Sequence, residues 1–184
     1  MRQSRVVSST AWLAGILLAL GCRKDSSSDG GAVNQPTPIW RIDFRSVGPI
    51  RINMTVAEAS AALGERLNVP PPDESLCRWS SVRSSKTPPG VSFTVSEDTI
   101  VRIDVDSTGV PTVDGLQVGS PIDDMLQKYD TLIERDISLD GDPVFTLASR
   151  EPERGFLIIY LTDGARVTRI VSGRRMAAQV QECA

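Results

Sequence analysis

Side chains able to do chemistry are few in this sequence, and most of them are acids. The 184 residues include no histidine. That removes serine–histidine and cysteine–histidine catalysis, together with the commonest ligand of zinc, copper and non-haem iron. Two acidic clusters remain: Asp104-Val105-Asp106 with Gly109 nearby, and Asp140-Gly141-Asp142. Calcium takes roughly six to eight oxygens, with a bidentate acid at a set spacing. Neither stretch supplies that set, so turn and strand-end acids are the expected reading, with a small-ligand or calcium-binding protein as a lesser alternative. Glu58 and Asp124 resemble the carboxylate pair of a glycoside hydrolase only in type. Each falls in the first turn of an expected helix, where the dipole favours negative charge. No Gly-x-Ser-x-Gly elbow and no Gly-rich phosphate loop occurs. The expectation is a protein that is not an enzyme, with no catalytic residue, no metal and no cofactor.

Other candidate residues suit contact rather than catalysis. Trp79 and Tyr160 fall on expected strands, and Arg102 and Arg169 stand at matching places in two halves of the chain. Core packing explains the aromatics, and solvated strand faces explain the arginines. The sharper reading puts Trp79, Arg102, Tyr160 and Arg169 on an exposed sheet face that anchors a protein partner, as aromatics and arginines do at interfaces.

The elements that must position these residues are organised around residues 50–64. There Ile50 and Ile52 close a short strand, and Thr55-Val56-Ala57-Glu58 has capping-box form. Val56, Ala59 and Leu63 repeat at helical spacing, and Gly64 is a natural left-handed stop. The pattern recurs 66 residues later as Leu116, Val118, Gly119, Pro121, Ile122, Met125 and Tyr129. Ser120 is the expected N-cap there and Pro121 the first helical residue. At the same offset Trp79 falls on Phe145, Phe93 on Ile159 and Val95 on Leu161, and after a one-residue turn insertion the offset becomes 67. Strands are expected at 76–80, 91–95 and 100–105, then at 144–148, 156–161 and 166–171, with 132–137 as a possible addition. Ser96-Glu97-Asp98-Thr99 and Thr162-Asp163-Gly164-Ala165 are hairpin turns. The fold class is therefore α+β: two tandem strand-helix-antiparallel-meander units, residues 40–110 and 111–184, packed as one compact body.

Apolar residues are 40% and charged residues 23%, which is globular composition. Residues 1–21 read as a secretion signal, with Arg2 and Arg5 before an apolar run of ten, residues 11–20. That run is too short to span a bilayer permanently. Leu18-Ala19-Leu20-Gly21-Cys22 resembles the lipobox of bacterial lipoproteins, with Ala19 where a leucine is usual. The resemblance implies cleavage before Cys22 and acylation of its thiol and amino terminus, and several acyl chains anchor stably. Arg23, in place of an aspartate, implies by the same resemblance the outer membrane facing the periplasm. Residues 22–39 are the lipidated cysteine and a Ser/Gly/Pro-rich tether. Loss of Arg2 and Arg5 takes the formal charge from −3 to −5, and an acidic chain argues against a nucleic-acid partner. With Cys22 acylated, Cys77 and Cys183 remain as an even pair in an oxidising compartment, and a disulfide between them is expected.

Ile52-Asn53-Met54-Thr55 and Val118-Gly119-Ser120-Pro121, each a short strand running into a capped helix before a meander, carry a second resemblance. The arrangement is similar to the unit of the β-lactamase inhibitory protein and of the SmpA/BamE-type small envelope lipoproteins. It covers residues 47–172, with Asn53 in place of the usual glycine. This resemblance implies a concave sheet face that binds protein. Two functions follow from it: a scaffold or inhibitor acting on an envelope protein, or an accessory in outer-membrane assembly.

Overall fold

Thr55 starts the first helix as its sequence dictates. In a computed structural model of the chain, which describes residues 39–71, 79–138, 141–148 and 155–179, α1 runs Val56–Leu63. The Thr55 hydroxyl accepts from the Glu58 N–H at 3.2 Å, and the Glu58 carboxylate accepts from the Thr55 N–H at 2.8 Å. Two N–H groups that a helix start leaves unpaired are satisfied reciprocally. Gly64 ends α1 with φ 64°, a backbone angle that only a residue without Cβ adopts cheaply. The second helix, α2, runs Ile122–Tyr129. Its start corrects the expected cap. Pro121 holds the N-cap position without a side-chain bond, and the Ser120 hydroxyl accepts from the Gln117 N–H instead, at 3.0 Å. The Ser120 carbonyl accepts from the Val167 N–H at 2.9 Å, so Ser120 belongs to the bridge to the strand that opens at Val167 and the helix opens one residue later than expected. A 3-10 turn, Asp130–Leu132, follows α2.

Nine strands lie among the described residues. β1 (Ser46–Val47) and β2 (Ile50–Arg51) form a small hairpin. β3 (Trp79–Val82), β4 (Val91–Ser96), β5 (Thr99–Val105), β6 (Ile133–Ile137), β7 (Pro143–Ala148), β8 (Phe156–Thr162) and β9 (Val167–Arg174) make one sheet. The order is β3-β4-β5-β9-β8-β7-β6, antiparallel throughout. Two meanders thus meet at their last strands, β5 and β9. The α+β class stands, and the separate strand sets expected from the sequence join as a continuous sheet.

Side-chain alternation gives the sheet two distinct faces. Phe93, Ile103, Phe145, Ile158, Tyr160 and Ile170 point to the first face, which packs under α1, α2 and the β1–β2 hairpin as the main core. Leu157, Ile159 and Val171 point to the second face, where Ala178 of a short C-terminal helix, α3 (Arg175–Gln179), covers them. Gly173 lies beneath that helix, where a side chain would crowd the backbone of β5 and only touch α3. A Cβ there would sit 3.1 Å from the Val101 carbonyl oxygen and 3.5 Å from the Ala178 Cβ.

The same backbone bonds tie each helix start to the hairpin of its own half. Asn53 N–H donates to Ile100 C=O, Ile100 N–H to Met54 C=O, and Val56 N–H to Asp98 C=O, at 2.8–3.0 Å. In the second half Gly119 N–H donates to Val167 C=O, Val167 N–H to Ser120 C=O, and Ile122 N–H to Ala165 C=O, at 2.7–3.0 Å. Asn53 and Gly119 both take positive φ, 73° and 92°. Asparagine tolerates that angle better than most residues, which is why it stands where the second half has glycine. Each hairpin also carries a register shift near its turn, with Val101 and Thr168 as the extra residues.

The ladders correct the residue matching between halves. Phe93 faces Ile103 as Tyr160 faces Ile170, so Phe93 matches Tyr160 rather than Ile159. Val82 faces Phe93 as Phe145 faces Tyr160, so Val82, not Trp79, matches Phe145. The offset is already 67 along β4, before the hairpin turn, and the turn itself contains no insertion.

Candidate functional site

β3, β5 and β9 bring three of the four contact candidates to the second face of the sheet. Trp79 pairs with Ser96, and Val82, three residues on, faces the core. Alternation therefore sets Trp79 on the second face, where it is half-buried. Arg102 and Arg169 follow the same logic, each one residue before a core isoleucine, Ile103 or Ile170. Tyr160 does not join them. It is on the first face with 0% exposure, which removes it from any surface contact.

Arg102 is also corrected. It is 8% exposed and lies against Asp104, two residues along the same strand and so on the same face. Its Nε donates to both carboxylate oxygens, at 3.1 and 2.9 Å, and Nη2 adds a third bond. A charge taken out of water needs a partner in good geometry, and Asp104 supplies one. Arg102 is part of the interior rather than an outward strand residue. Gly173 pairs with Arg102 across the β5–β9 ladder, so α3 begins to cover the sheet beside this ion pair.

The same face becomes more open toward the ends of the strands. Arg83 Nη2 donates to Asp106 Oδ2 at 3.0 Å, with the arginine side chain 59% exposed. Partial burial pushes the Asp106 carboxyl upward. The bonds from Arg83 and the Ser107 hydroxyl, with the charges of Arg83 and Arg169, outweigh it and hold the group below its ordinary value. Arg169 is half-buried and contributes to that field. Toward the other edge Val144, Leu161 and Ala148 pack against the Leu157–Ile159–Val171 cluster while remaining half-buried.

Sequence reasoning missed a polar chain on the first face. Tyr129 of α2 donates its hydroxyl proton to Asp114 Oδ2 at 3.0 Å. Its oxygen lies 3.1 Å from the Tyr160 hydroxyl. A phenol has one proton, so Tyr160 is the donor in that second bond. Burial pushes Tyr129 up to about 12; the Tyr160 bond works against this and the Asp114 carboxylate adds to it. Burial and then the neighbouring Tyr129 raise Tyr160 further still. Both phenols stay neutral and act as donors that fasten α2 and the loop at Asp114 to β8. The clue in the sequence was a tyrosine at each of two expected core positions.

Of the acids singled out for chemistry, Glu58, Asp104 and Asp106 hold structural partners through their carboxylates. Glu58 completes the capping box, and that bonding holds its carboxyl below the ordinary value. Asp124 lies exposed in the first turn of α2. Asp104 and Asp106 face arginines. Asp142 belongs to a turn in which its N–H donates to the Ser138 hydroxyl and its carbonyl accepts from the Ser138 N–H. Among the described residues no group of three or more acids or cysteines is placed to hold a metal ion. Cys22, Cys77, Asp140 and Cys183 lie outside the described residues. Among the described residues no helix is long and apolar enough to cross a membrane.

Fold and site together define an α+β protein with an antiparallel sheet that carries helices on one face and is partly covered on the other. No protein-family model matches the chain, and no curated protein matches it. It is similar to a solved structure, that of the uncharacterized protein YfeY from Escherichia coli. The identity is 16%, over 73% of this chain and 99% of that one, with a TM-score of 0.49.

Proposed function

We propose that this chain is a lipid-anchored envelope protein that acts as a non-enzymatic binding module for another envelope protein. The observation that carries the reading is the second face of the sheet. Its middle is closed by α3, while Trp79, Arg169, Val144 and Leu161 stay half-buried around that cover. Arg169 faces Leu161, and Leu161 faces Val144, while Trp79 stands apart on the edge strand β3; an arginine beside partly exposed aliphatics, and a half-buried tryptophan, are residue types that interfaces favour. The anchor rests on Cys22 after the apolar run, and the outer membrane on Arg23. The two halves, with their matched helix-to-hairpin bonds, are read as tandem copies of one unit, as the resemblance to the β-lactamase inhibitory protein and the SmpA/BamE-type lipoproteins implies. Cys77 and Cys183 are read as a disulfide; a free Cys77 thiol in non-reducing peptide mapping removes that part.

Crosslinking in intact cells followed by recovery of the chain is the test. A single envelope protein should be captured, and Trp79→Ala should weaken its binding by roughly 30-fold, the loss typical of a hot-spot aromatic. Unchanged affinity in a folded Trp79→Ala variant rejects this face. Recovery of the outer-membrane assembly machinery instead supports the accessory role. A bound small molecule and no protein partner overturns both. Cys22→Ser should move the protein out of the membrane fraction, and retention there rejects the anchor.

A further inference from the structure

We infer that the open edge of β6 takes up an extended segment of a partner protein, whose side chains along the paired stretch read apolar, basic, acidic, basic, apolar. The site lies at the opposite edge of the sheet from Trp79, and it depends neither on that residue nor on the anchor. β6 ends the strand order, and no described strand pairs with its outer side. In an antiparallel pair, alternate residues turn their N–H and C=O toward a given neighbour. The Ser138 N–H donates to the Asp142 C=O at 2.8 Å, one step beyond the Ile137–Pro143 pair. Glu134 and Asp136 therefore bond β7, while Ile133, Arg135 and Ile137 turn backbone groups outward. The Ile137 N–H is capped by the Asp136 carboxylate at 2.8 Å, as suits a group pointing away from β7. Arg135, at the centre, keeps both an N–H and a C=O for a further strand.

The side chains of β6 set what that strand must carry. Glu134, Arg135 and Asp136 are exposed and make no ion pair with a described residue. Across the ladder Glu134 faces Thr146 and Asp136 faces Val144, neither of them charged. Arg135 faces Phe145, with its guanidinium 5.6 Å from the ring centre. Lys128, Asp130, Asp140 and Asp142 flank the strand in sequence, outside the paired stretch. The run Ile-Glu-Arg-Asp-Ile reads the same in type from either end. A second copy pairing antiparallel, with Ile133 opposite Ile137, would set Glu134 against Asp136 and Arg135 against Arg135. A shift of two places sets Glu134 or Asp136 against its own copy. Like charges directly opposite are destabilising, so the strand rejects itself, as protected edges do. Protection does not account for the apolar groups. Leu132 and Ile137, two of the four large hydrophobics that the described fold leaves exposed, bracket the charges at 47% and 68% exposure. Apolar ends with acid, base and acid between them complement a strand of reversed charge, and strand addition at an open edge is a general mode of peptide recognition.

The test uses the full-length chain in detergent and two end-capped fluorescent peptides, Val-Lys-Glu-Lys-Val and Val-Glu-Lys-Glu-Val, each flanked by threonines. Anisotropy at low salt should show the first bound at least about tenfold more tightly, since three cross-strand pairs change sign between them. A methyl group on the glutamate nitrogen of the first peptide removes the donor to the Arg135 C=O and leaves every charge. It should lower affinity at least about tenfold, which separates strand pairing from general attraction of a basic peptide to an acidic chain. Arg135→Pro removes an outward N–H and no bond of the β6–β7 ladder, as an edge strand tolerates. It should abolish binding while the amides of Val144 and Thr146 stay protected from exchange. Glu134→Lys/Asp136→Lys should invert the preference between the peptides, and Trp79→Ala should leave it unchanged. Equal affinity for the two peptides, undiminished binding of the methylated one, or no binding of either overturns the inference. So does a dimer that Arg135→Pro dissociates, for the occupant is then a second copy.

Discussion

Arg102 and Asp104 show how much a single residue depends on its neighbour. Their side chains are 9% and 13% exposed, so removing one leaves the other charged and nearly dry. Arg102→Ala should cost about 3 kcal/mol of folding stability, whereas Arg102→Met with Asp104→Leu should return within ~1 kcal/mol of the parent. Denaturant unfolding of the three proteins measures this. A single variant as stable as the parent would show that water reaches Asp104. The tyrosine chain makes a prediction in pH. A phenol titrates near 10 in an unfolded chain, and Tyr129 is held neutral up to about 12 in the fold. Between those values the unfolded state has lost a proton that the native state keeps, so stability falls as pH rises. The contribution is intact below pH 10 and declines from there through about 12. Phenolate absorbance should lag behind that of Tyr129→Phe only while the protein stays folded; two ordinary titrations in the native protein contradict the buried chain.

Elements were legible where local chemistry sets them. α1 follows from its capping box and from Gly64, and the β4–β5 and β8–β9 hairpins from their turn residues. Ser120 misled because N-cap preference is a local rule, while the bond between the Ser120 carbonyl and the Val167 N–H is a tertiary one. The matching of Trp79 to Phe145 failed for a related reason. Hydrophobic type alone does not fix register when a loop of different length precedes the strand. α3 was not legible at all, since its five residues carry no periodic stripe. Gly173→Val should lift α3 from the sheet, exposing Leu157, Ile159 and Val171 to solvent. Amide exchange at residues 175–179 should rise while that of α1 is unchanged. Unaltered exchange with normal stability would mean that the neighbouring backbone accommodates the side chain.

At the scale of the whole molecule, composition and patterning gave the α+β class, but the union of the two meanders lay beyond them. Nothing in β5 or β9 separately announces that Ile103 will face Ser172, or Val105 Ile170. Both strands alternate as half-covered strands do, and alternation does not identify a neighbour. Of the contact candidates, Trp79 and Arg169 were found partly exposed on the second face of the sheet. Tyr160 and Arg102 were not, because burial and ion pairing are set by what lies across the ladder and above it.

That junction also governs how quickly the molecule can form. Hairpin partners such as Ser96 and Thr99 are near neighbours along the chain, but Arg102 and Gly173 are separated by 71 positions. Closing so wide a loop is slow compared with zipping a hairpin. The meanders should therefore assemble early and dock late, with the β5–β9 bonds formed largely after the rate-limiting barrier. Ile170→Val, on the junction, should accelerate unfolding and leave the refolding rate nearly unchanged. Stopped-flow traces in which refolding slows in proportion to the lost stability would place the junction in the nucleus instead.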